Sequence, residues 1–319
     1  MIEPRIGDLT APRITAVVVT FNRIDLLQRL VSRLRTVPEV DEILVIDNAS
    51  TDGTGEWLTA TATSADSTPP HRPELHHRTL TRNRGGAGGF HDGLAWAMER
   101  GADLAWLMDD DGIPETDCLA RLLTRADLDF WGPAVLAEQD PTRLCFPIRL
   151  PGRTNVVHHM AEVERAAQDG LIPDVVIPFN GVLVTRDLVK RIGLPREEFF
   201  IWGDDVEYLW RARDAGARVA TVVDAHFLHP ATDDLGTPMM FGRTTYNHTP
   251  SDLKHYCMAR NNLLNLRDYR GWPHALAFVA KTLWFYAFTR PSVGRLGLSA
   301  GAMRAGLRGD FTGHQRFLR

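Results

Sequence analysis

Over the first 110 residues, unbroken apolar runs alternate with segments whose apolar positions recur every three or four residues. Residues 14–20, ITAVVVT, form a largely β-branched run, the pattern of a strand buried on both faces. Residues 22–34, NRIDLLQRLVSRL, then put Ile24, Leu27, Leu30, Val31 and Leu34 on one helical face. EILVID (42–47) predicts the next strand. NASTDGTGEWL turns out of it into a second helix, with Asn48, Ser50, Thr51 and Asp52 as turn and N-cap residues. A polar, proline-bearing loop covers 60–74. The third unit runs from HHRTLTRN through the glycine-rich RGGAGGF to a helix, HDGLAWAMERG, and LAWLM (104–108) predicts the strand after it. This alternation implies right-handed crossovers and a doubly wound α/β sheet. Later segments are less regular. VVIPFNGVLVTRDLVKRIG (175–193) reads as one or two strands and a short helix. Residues 197–223 read as an aromatic strand end, an acidic turn, an arginine-bearing helix and a strand, and from about 252 the chain becomes largely helical.

In such sheets, ligands sit outside the carboxyl ends of the strands. Thr20–Asn22, Asp47–Asn48, Arg82–Asn83 and Asp109–Asp111 all fall at those ends, so four polar clusters converge on one nucleotide-sized site. The last of them, in LAWLMDDDGIPE, sets three like charges at the end of a buried strand. Carboxylates taken out of water repel and are costly until something neutralises them. On an extended segment Asp109 and Asp111 face the same side and Asp110 the other, which suits a hard divalent cation, Mg²⁺ or Mn²⁺. A calcium loop is excluded, because Gly112 at its sixth place would put Cys118 where the twelfth must be a carboxylate. Capping of a helix near Pro114–Glu115 would use one aspartate, not three. GGAGGFHDG fails the dinucleotide fingerprint at His91 and reads equally as a tight turn or a phosphate cradle.

Composition narrows the classes. Hydrophobic residues make up 44% and charged residues 24% of the 319, and a net charge of −4 gives no case for nucleic acid as partner. Cys118, Cys145 and Cys257 are scattered, with no paired spacing, which fits a reducing cytosol better than a disulfide scaffold or zinc knuckle. No signal peptide and no apolar span of membrane length is evident. Nucleotidyl transfer would want a glycine- and lysine-rich loop after the first strand, where VVVTFNRID stands.

Taken together, VVVTFNR, VIDNASTDGT, RNRGGAGGF, WLMDDDGIPE and FFIWGDDVEYLWRARDAG resemble inverting glycosyltransferases of family two, with the GT-A fold, over roughly residues 14–230. Within that family DPTRLCFPIR, FNGVLV, GDDVEY, HPATDD and CMARNN resemble the bacterial galactofuranosyltransferases that start the cell-wall galactan. The resemblance implies a UDP-galactofuranose donor, a polyprenyl-diphosphate-linked glycan acceptor and a divalent cation on Asp109 and Asp111. Rhamnosyltransferases using dTDP-rhamnose share much of this core and remain the enzyme alternative; a non-catalytic sugar-binding or scaffolding module is the alternative of another class. Inverting transfer needs a base for the acceptor hydroxyl. By resemblance it is Asp205, with Asp204 orienting a ligand or capping the helix, and Glu207 nearby. His229 is implied as a further metal or diphosphate ligand, with His226 its competitor. Thr20, Asn22, Arg23, Asp47, Arg82, Asn83 and Asp110 are expected around the nucleotide. Trp202, Glu207, Arg260 and Asn261 are expected around the sugar or acceptor, although core packing suits Trp202 equally.

The expected organisation is a catalytic domain over 1–250, with a nucleotide half at 14–111 and an acceptor half at 112–250, then a helical region at 251–319. In that region HALAFVAKTLWFYAFTR (274–290) ends on Arg290 and is followed by five more arginines and a single aspartate. An aromatic amphipathic helix with a basic tail suits an anionic leaflet, so the expected location is cytoplasmic, peripheral at the inner face of the plasma membrane. Packing on the catalytic domain or a homo-oligomer interface is the alternative use of the same residues.

Overall fold

The computed structural model describes residues 12–63, 73–151, 156–231 and 236–318. The stretches at 60–74 and 229–234 singled out above fall partly outside them. Strand β1 (Ile14–Thr20), helix α1 (Ile24–Leu34), β2 (Glu42–Asp47), α2 (Thr54–Thr63), β3 (Glu74–Thr79), α3 (Gly85–Glu99) and β4 (Leu104–Asp109) form the first half. β5 (Ile113–Pro114), α4 (Cys118–Leu123), β6 (Phe130–Ala137), β7 (Asp140–Arg149), β8 (Val156–His159), α5 (Met160–Ala166) and β9 (Leu171–Pro173) follow. β10 (Asn180–Thr185), α6 (Arg186–Ile192), α7 (Asp204–Asp214) and β11 (Val219–His229) complete the main sheet. A hairpin of β12 (Thr237–Met239) and β13 (Thr244–Tyr246) leads to α8 (Asp252–Arg270), α9 (Trp272–Trp284) and α10 (Val293–Leu307).

The sheet runs β3-β2-β1-β4-β10-β6-β11-β5. Its first four strands are parallel, β10 is antiparallel to both β4 and β6, and β11 is parallel to β6. It is therefore mixed. β1 shows why it is covered on both faces. Ile14, Ala16 and Val18 pack with Leu27, Leu30, Val31 and Leu34 of α1, whereas Val17 and Val19 pack with Phe90 and Leu94 of α3. Each fully buried aliphatic side chain of this kind stabilises the fold by roughly 1.5–3 kcal/mol.

The glycine-rich segment is neither a turn nor a loop: it forms the first turns of α3. A Cβ at Gly89 would lie 2.4 Å from Val19 Cγ1, and one at Gly93 2.5 Å from Val17 Cγ1. The glycines let the helix sit directly on β1. The three aspartates cap no helix either, since α4 begins only at Cys118. The expected aromatic strand end is instead a short 3₁₀ turn, Glu197–Phe199.

Candidate active site

Parallel pairing brings the strand ends level: Thr20 is opposite Asp47, and Val19 opposite Asp109. Thr20 Oγ1 donates to Asp110 Oδ2 at 2.7 Å, and Arg23 Nη1 reaches Asp110 Oδ1 at 3.1 Å and Asp111 Oδ2 at 2.6 Å. The strand ends at Asp109, so Asp110 and Asp111 do not alternate as on an extended segment: one Arg23 nitrogen bridges them, and Asp110 is only 3% exposed. His229, at the end of β11, places Nε2 3.2 Å from Asp111 Oδ1, while its Nδ1 lies 2.8 Å from the Pro230 carbonyl. Burial disfavours a charged imidazole, but contacts with Asp111 and Cys145 outweigh it and raise His229 to about 10. Asp111 is held low, burial being overcome by His229 and Arg23. Asp109 differs. Among the described residues no group donates to its side chain, and burial together with the charges of Asp111, Asp110 and Asp204 pushes it well above the carboxylate range.

Opposite stands the turn that opens α7. Phe200, at φ 67° and ψ −65°, centres a γ-turn of the rare positive-φ kind, closed by Ile201 N–H to Phe199 O at 2.8 Å. Trp202 (φ 71°) and Gly203 (φ 89°) are also left-handed. Such backbone costs on the order of 1–3 kcal/mol at each non-glycine residue and persists only where its surroundings enforce it. Asp204, Asp205 and Glu207 occupy the first turn of α7, where carboxylates complement the positive end of the helix dipole. Burial raises both Asp204 and Asp205, and for Asp204 the neighbouring Asp205 charge adds to it.

The two acidic groups face one cleft of about 720 Å³. Asp109, Asp110, Asp111, Asp204 and Asp205 all line it, together with Thr20, Arg23, Asn83 and Trp202.

The sequence model described as Glycosyl transferase family 2 matches residues 15–164. The chain is 34% identical over 289 residues to the galactofuranosyltransferase GlfT1 of Mycobacterium tuberculosis, spanning 86% of this chain and 89% of that protein. The chain belongs to glycosyltransferase family 2. It is also 40% identical over 223 residues to the undecaprenyl-phosphate mannosyltransferase of Micrococcus luteus, 66% of this chain and 82% of that protein. Among solved structures, the Pyrobaculum calidifontis mannosyltransferase PcManGT, in complex with GDP-Man and Mn²⁺, superposes with a TM-score of 0.53 at 20% identity, covering 93% of this chain and 75% of that one. Staphylococcus aureus TarS 1–349 in complex with UDP-GlcNAc gives 0.53 at 14% identity, covering 95% and 81%. The fold is therefore GT-A, with helices at the C-terminus, and the protein is a glycosyltransferase.

Asp109, Asp111 and His229 are ligand types that a hard cation takes, and Arg23 offsets the Asp109 charge only in part. Their ligand atoms are not gathered within 4.8 Å of one another; among the described residues the group gathered so closely is Glu42, Glu74 and His76, at the opposite sheet edge, where Arg100 and Arg13 already balance Glu42.

Three expected acceptor contacts are corrected. Glu207 is 1% exposed and is bound by Arg211 at 2.7 Å and by the Tyr269 hydroxyl at 2.6 Å. Arg260 and Asn261 are fully buried and spend their donors on the backbone carbonyls of 198–202. Arg82 is exposed and lies outside the cleft lining. Asn22 uses its side chain to hold Thr51 N–H at 2.7 Å. Asp47 is buried, with one oxygen accepting from Ser50 N–H and the other without a partner among the described residues. His226 pairs with Glu115, not with the aspartates.

Asn48, placed by the sequence at a converging strand end but read as a turn residue, bridges Arg84 N–H and Gly85 O with its amide and lines the cleft with Phe146, Phe179, Asn247 and Lys254. Phe146 and Phe179 lie in the quoted DPTRLCFPIR and FNGVLV stretches without having been assigned to the site, and no motif marked Asn247 or Lys254.

Proposed function

We propose that this glycosyltransferase moves galactofuranose from UDP-galactofuranose to a polyprenyl-diphosphate-linked glycan with inversion at the anomeric carbon. The observation that carries the reading is the meeting of two carboxylate groups in one cleft, Asp109–Asp111 and Asp204–Asp205. The galactofuranose assignment is supported by the likeness to GlfT1 over most of both chains.

In this reading Asp205 takes the proton of the acceptor hydroxyl as its oxygen bonds to the anomeric carbon, and the bond to the diphosphate oxygen breaks with its electron pair leaving on UDP. A general base must start ionised yet bind the proton it takes up, and burial at the head of α7 strengthens the proton affinity of the Asp205 carboxylate. Asp204 keeps the pair oriented. Asp109, Asp111 and His229 would hold a divalent cation, Mn²⁺ or Mg²⁺, whose charge when bound favours the departing diphosphate. Thr20, Arg23, Asp47, Asp110 and Asn83 shape the nucleotide end, and Trp202 offers a ring to the sugar. The lipid-linked acceptor brings the protein to the inner face of the membrane.

The test is calorimetric titration of UDP, dTDP and GDP into the protein, with Mn²⁺ and with EDTA. Metal-dependent preference for UDP is the expected outcome. Preference for dTDP would turn the reading to rhamnose, and equal binding with EDTA would remove the cation.

A further inference from the structure

The turn before α7 combines strain with unusually complete hydrogen bonding. Every carbonyl from 198 to 203 has a donor. Arg260 Nη2 reaches Glu198 O at 3.3 Å and Phe199 O at 2.8 Å. Asn261 Nδ2 reaches Phe199 O at 3.0 Å, Ile201 O at 3.2 Å and Trp202 O at 2.8 Å. Asn265 Nδ2 donates to Gly203 O at 2.7 Å. Phe200 O accepts from Ala87 N–H at 3.0 Å, an approach that Gly85 permits, since a Cβ there would lie 1.9 Å from that oxygen. The chain's C-terminal segment closes over the same place. Phe311 stacks on Phe199, the His314 ring lies 4.4 Å from that of Phe200, and Arg260 Nη1 donates to Phe311 O at 3.2 Å.

These donors lie outside the cleft. Arg260 and Asn261 are completely buried and Asn265 nearly so, so they do not reach a ligand. Three polar side chains on one helix are turned inward onto a single non-helical segment some 60 residues away in sequence. Ordinary helix packing requires none of them, and leaving such amides buried without acceptors would be costly. Backbone strain of this kind collects where a site needs a fixed geometry.

We infer that Arg260, Asn261 and Asn265 are positioning residues for the acidic pair: they hold 198–203 in its strained path and thereby fix Asp205 and Trp202 at the cleft. The inference rests on the reading of Asp205 as base. It gives the C-terminal helices a part in transfer that involves no contact with donor or acceptor.

The experiment compares wild type with Asn261→Ala, Asn265→Ala, Arg260→Met and Arg260→Lys. Hydrogen exchange over 198–207 is read first, because it does not depend on which sugar is transferred. Losing one of these bonds should speed exchange there about tenfold, with strands β1 and β2 unchanged. For the same variants kcat should fall about 100-fold, the effect of misplacing a reacting group by about an ångström. The KM for acceptor and the affinity for UDP with Mn²⁺ should stay near wild type, and Arg260→Lys should recover part of what Arg260→Met loses. Faster exchange with unchanged kcat, or unchanged exchange, overturns the inference. Nucleotide affinity falling in step with kcat overturns it too, since that reports general loosening of the cleft. Should Asn261→Ala not fold, Asn265→Ala, which removes a single bond to Gly203 O, decides alone. Wild type inactive on UDP-galactofuranose, with exchange responding as expected, would fault the donor assignment and not the clamp; the kcat comparison then uses whichever nucleotide sugar wild type does transfer.

Discussion

Asp109 and Asp205 are both half-buried carboxylates with raised affinity for protons, yet the proposed reaction asks opposite things of them. Asp205 must accept a proton, so the isosteric Asp205→Asn removes the base and little else. UDP binding should stay within a few-fold of wild type while kcat falls about 10²–10⁴-fold. Activity near wild type would move the base elsewhere. In the proposed site Asp109 stays charged and shares a cation, and without one it faces Asp110, Asp111 and Asp204 with only Arg23 to offset them. Asp109→Asn should therefore raise the melting temperature of the metal-free protein and abolish the rise on adding Mn²⁺. An undiminished Mn²⁺-induced rise in the variant would sink the metal assignment. At this scale the sequence was informative where chemistry is local: three adjacent aspartates at a strand end demand a neutraliser wherever they occur. It misled at Arg260 and Asn261. A polar triplet in a helix reads as a ligand contact, and its true partner, a strained turn far back in the chain, leaves no local signal.

Strands β1 and β2 were legible to the residue because a strand covered on both faces must be apolar in its interior, as AVVV of ITAVVVT and ILVI of EILVID are; β5 to β9 offered no such largely β-branched runs and were not read. Helix α3 was read correctly only in its second half. Its start, GGAGG, has poor helix propensity and looks like a turn, but contact with β1 overrides propensity. That claim has a measurable consequence. Gly93→Ala places a methyl 2.5 Å from Val17 Cγ1 and 3.1 Å from Ile46 Cγ1, both on stiff β-branched side chains. The overlap should cost about 1–3 kcal/mol, more than the roughly 0.5–1 kcal/mol that alanine returns in a helix. Urea unfolding should show net destabilisation. Gly86→Ala in the same helix meets nothing within 4 Å and should leave stability unchanged or slightly raised. If the two substitutions behaved alike, propensity rather than packing would govern this helix.

For the molecule as a whole, most exposed large apolar side chains among the described residues lie at its C-terminal end, although Phe241 between β12 and β13 is 98% exposed. Trp272, Leu276, Leu283, Phe288 and Val293 are 52, 60, 54, 69 and 86% exposed, on α9, in the turn of helix that follows it and at the start of α10. The exposed Arg290, Arg304 and Arg308 stand near them in sequence. Among the described residues no helix is long and apolar enough to cross a membrane. A short apolar face with cationic neighbours suits the interface plane of an anionic leaflet, where ring and aliphatic groups sink and guanidinium groups stay with the headgroups. The proposed lipid-linked acceptor gives that contact a purpose. Sedimentation with vesicles of phosphatidylcholine and phosphatidylglycerol should capture the protein and release it as salt rises. Replacing Leu276 and Phe288 together by serine should weaken binding at least about tenfold, because each loses an apolar group worth above about 1.4 kcal/mol when buried. UDP binding should not change, since neither residue lines the cleft. Loss of self-association in that double variant, with vesicle binding intact, would assign the face to a second copy of the chain. The acceptor's lipid would then need another route to Asp205.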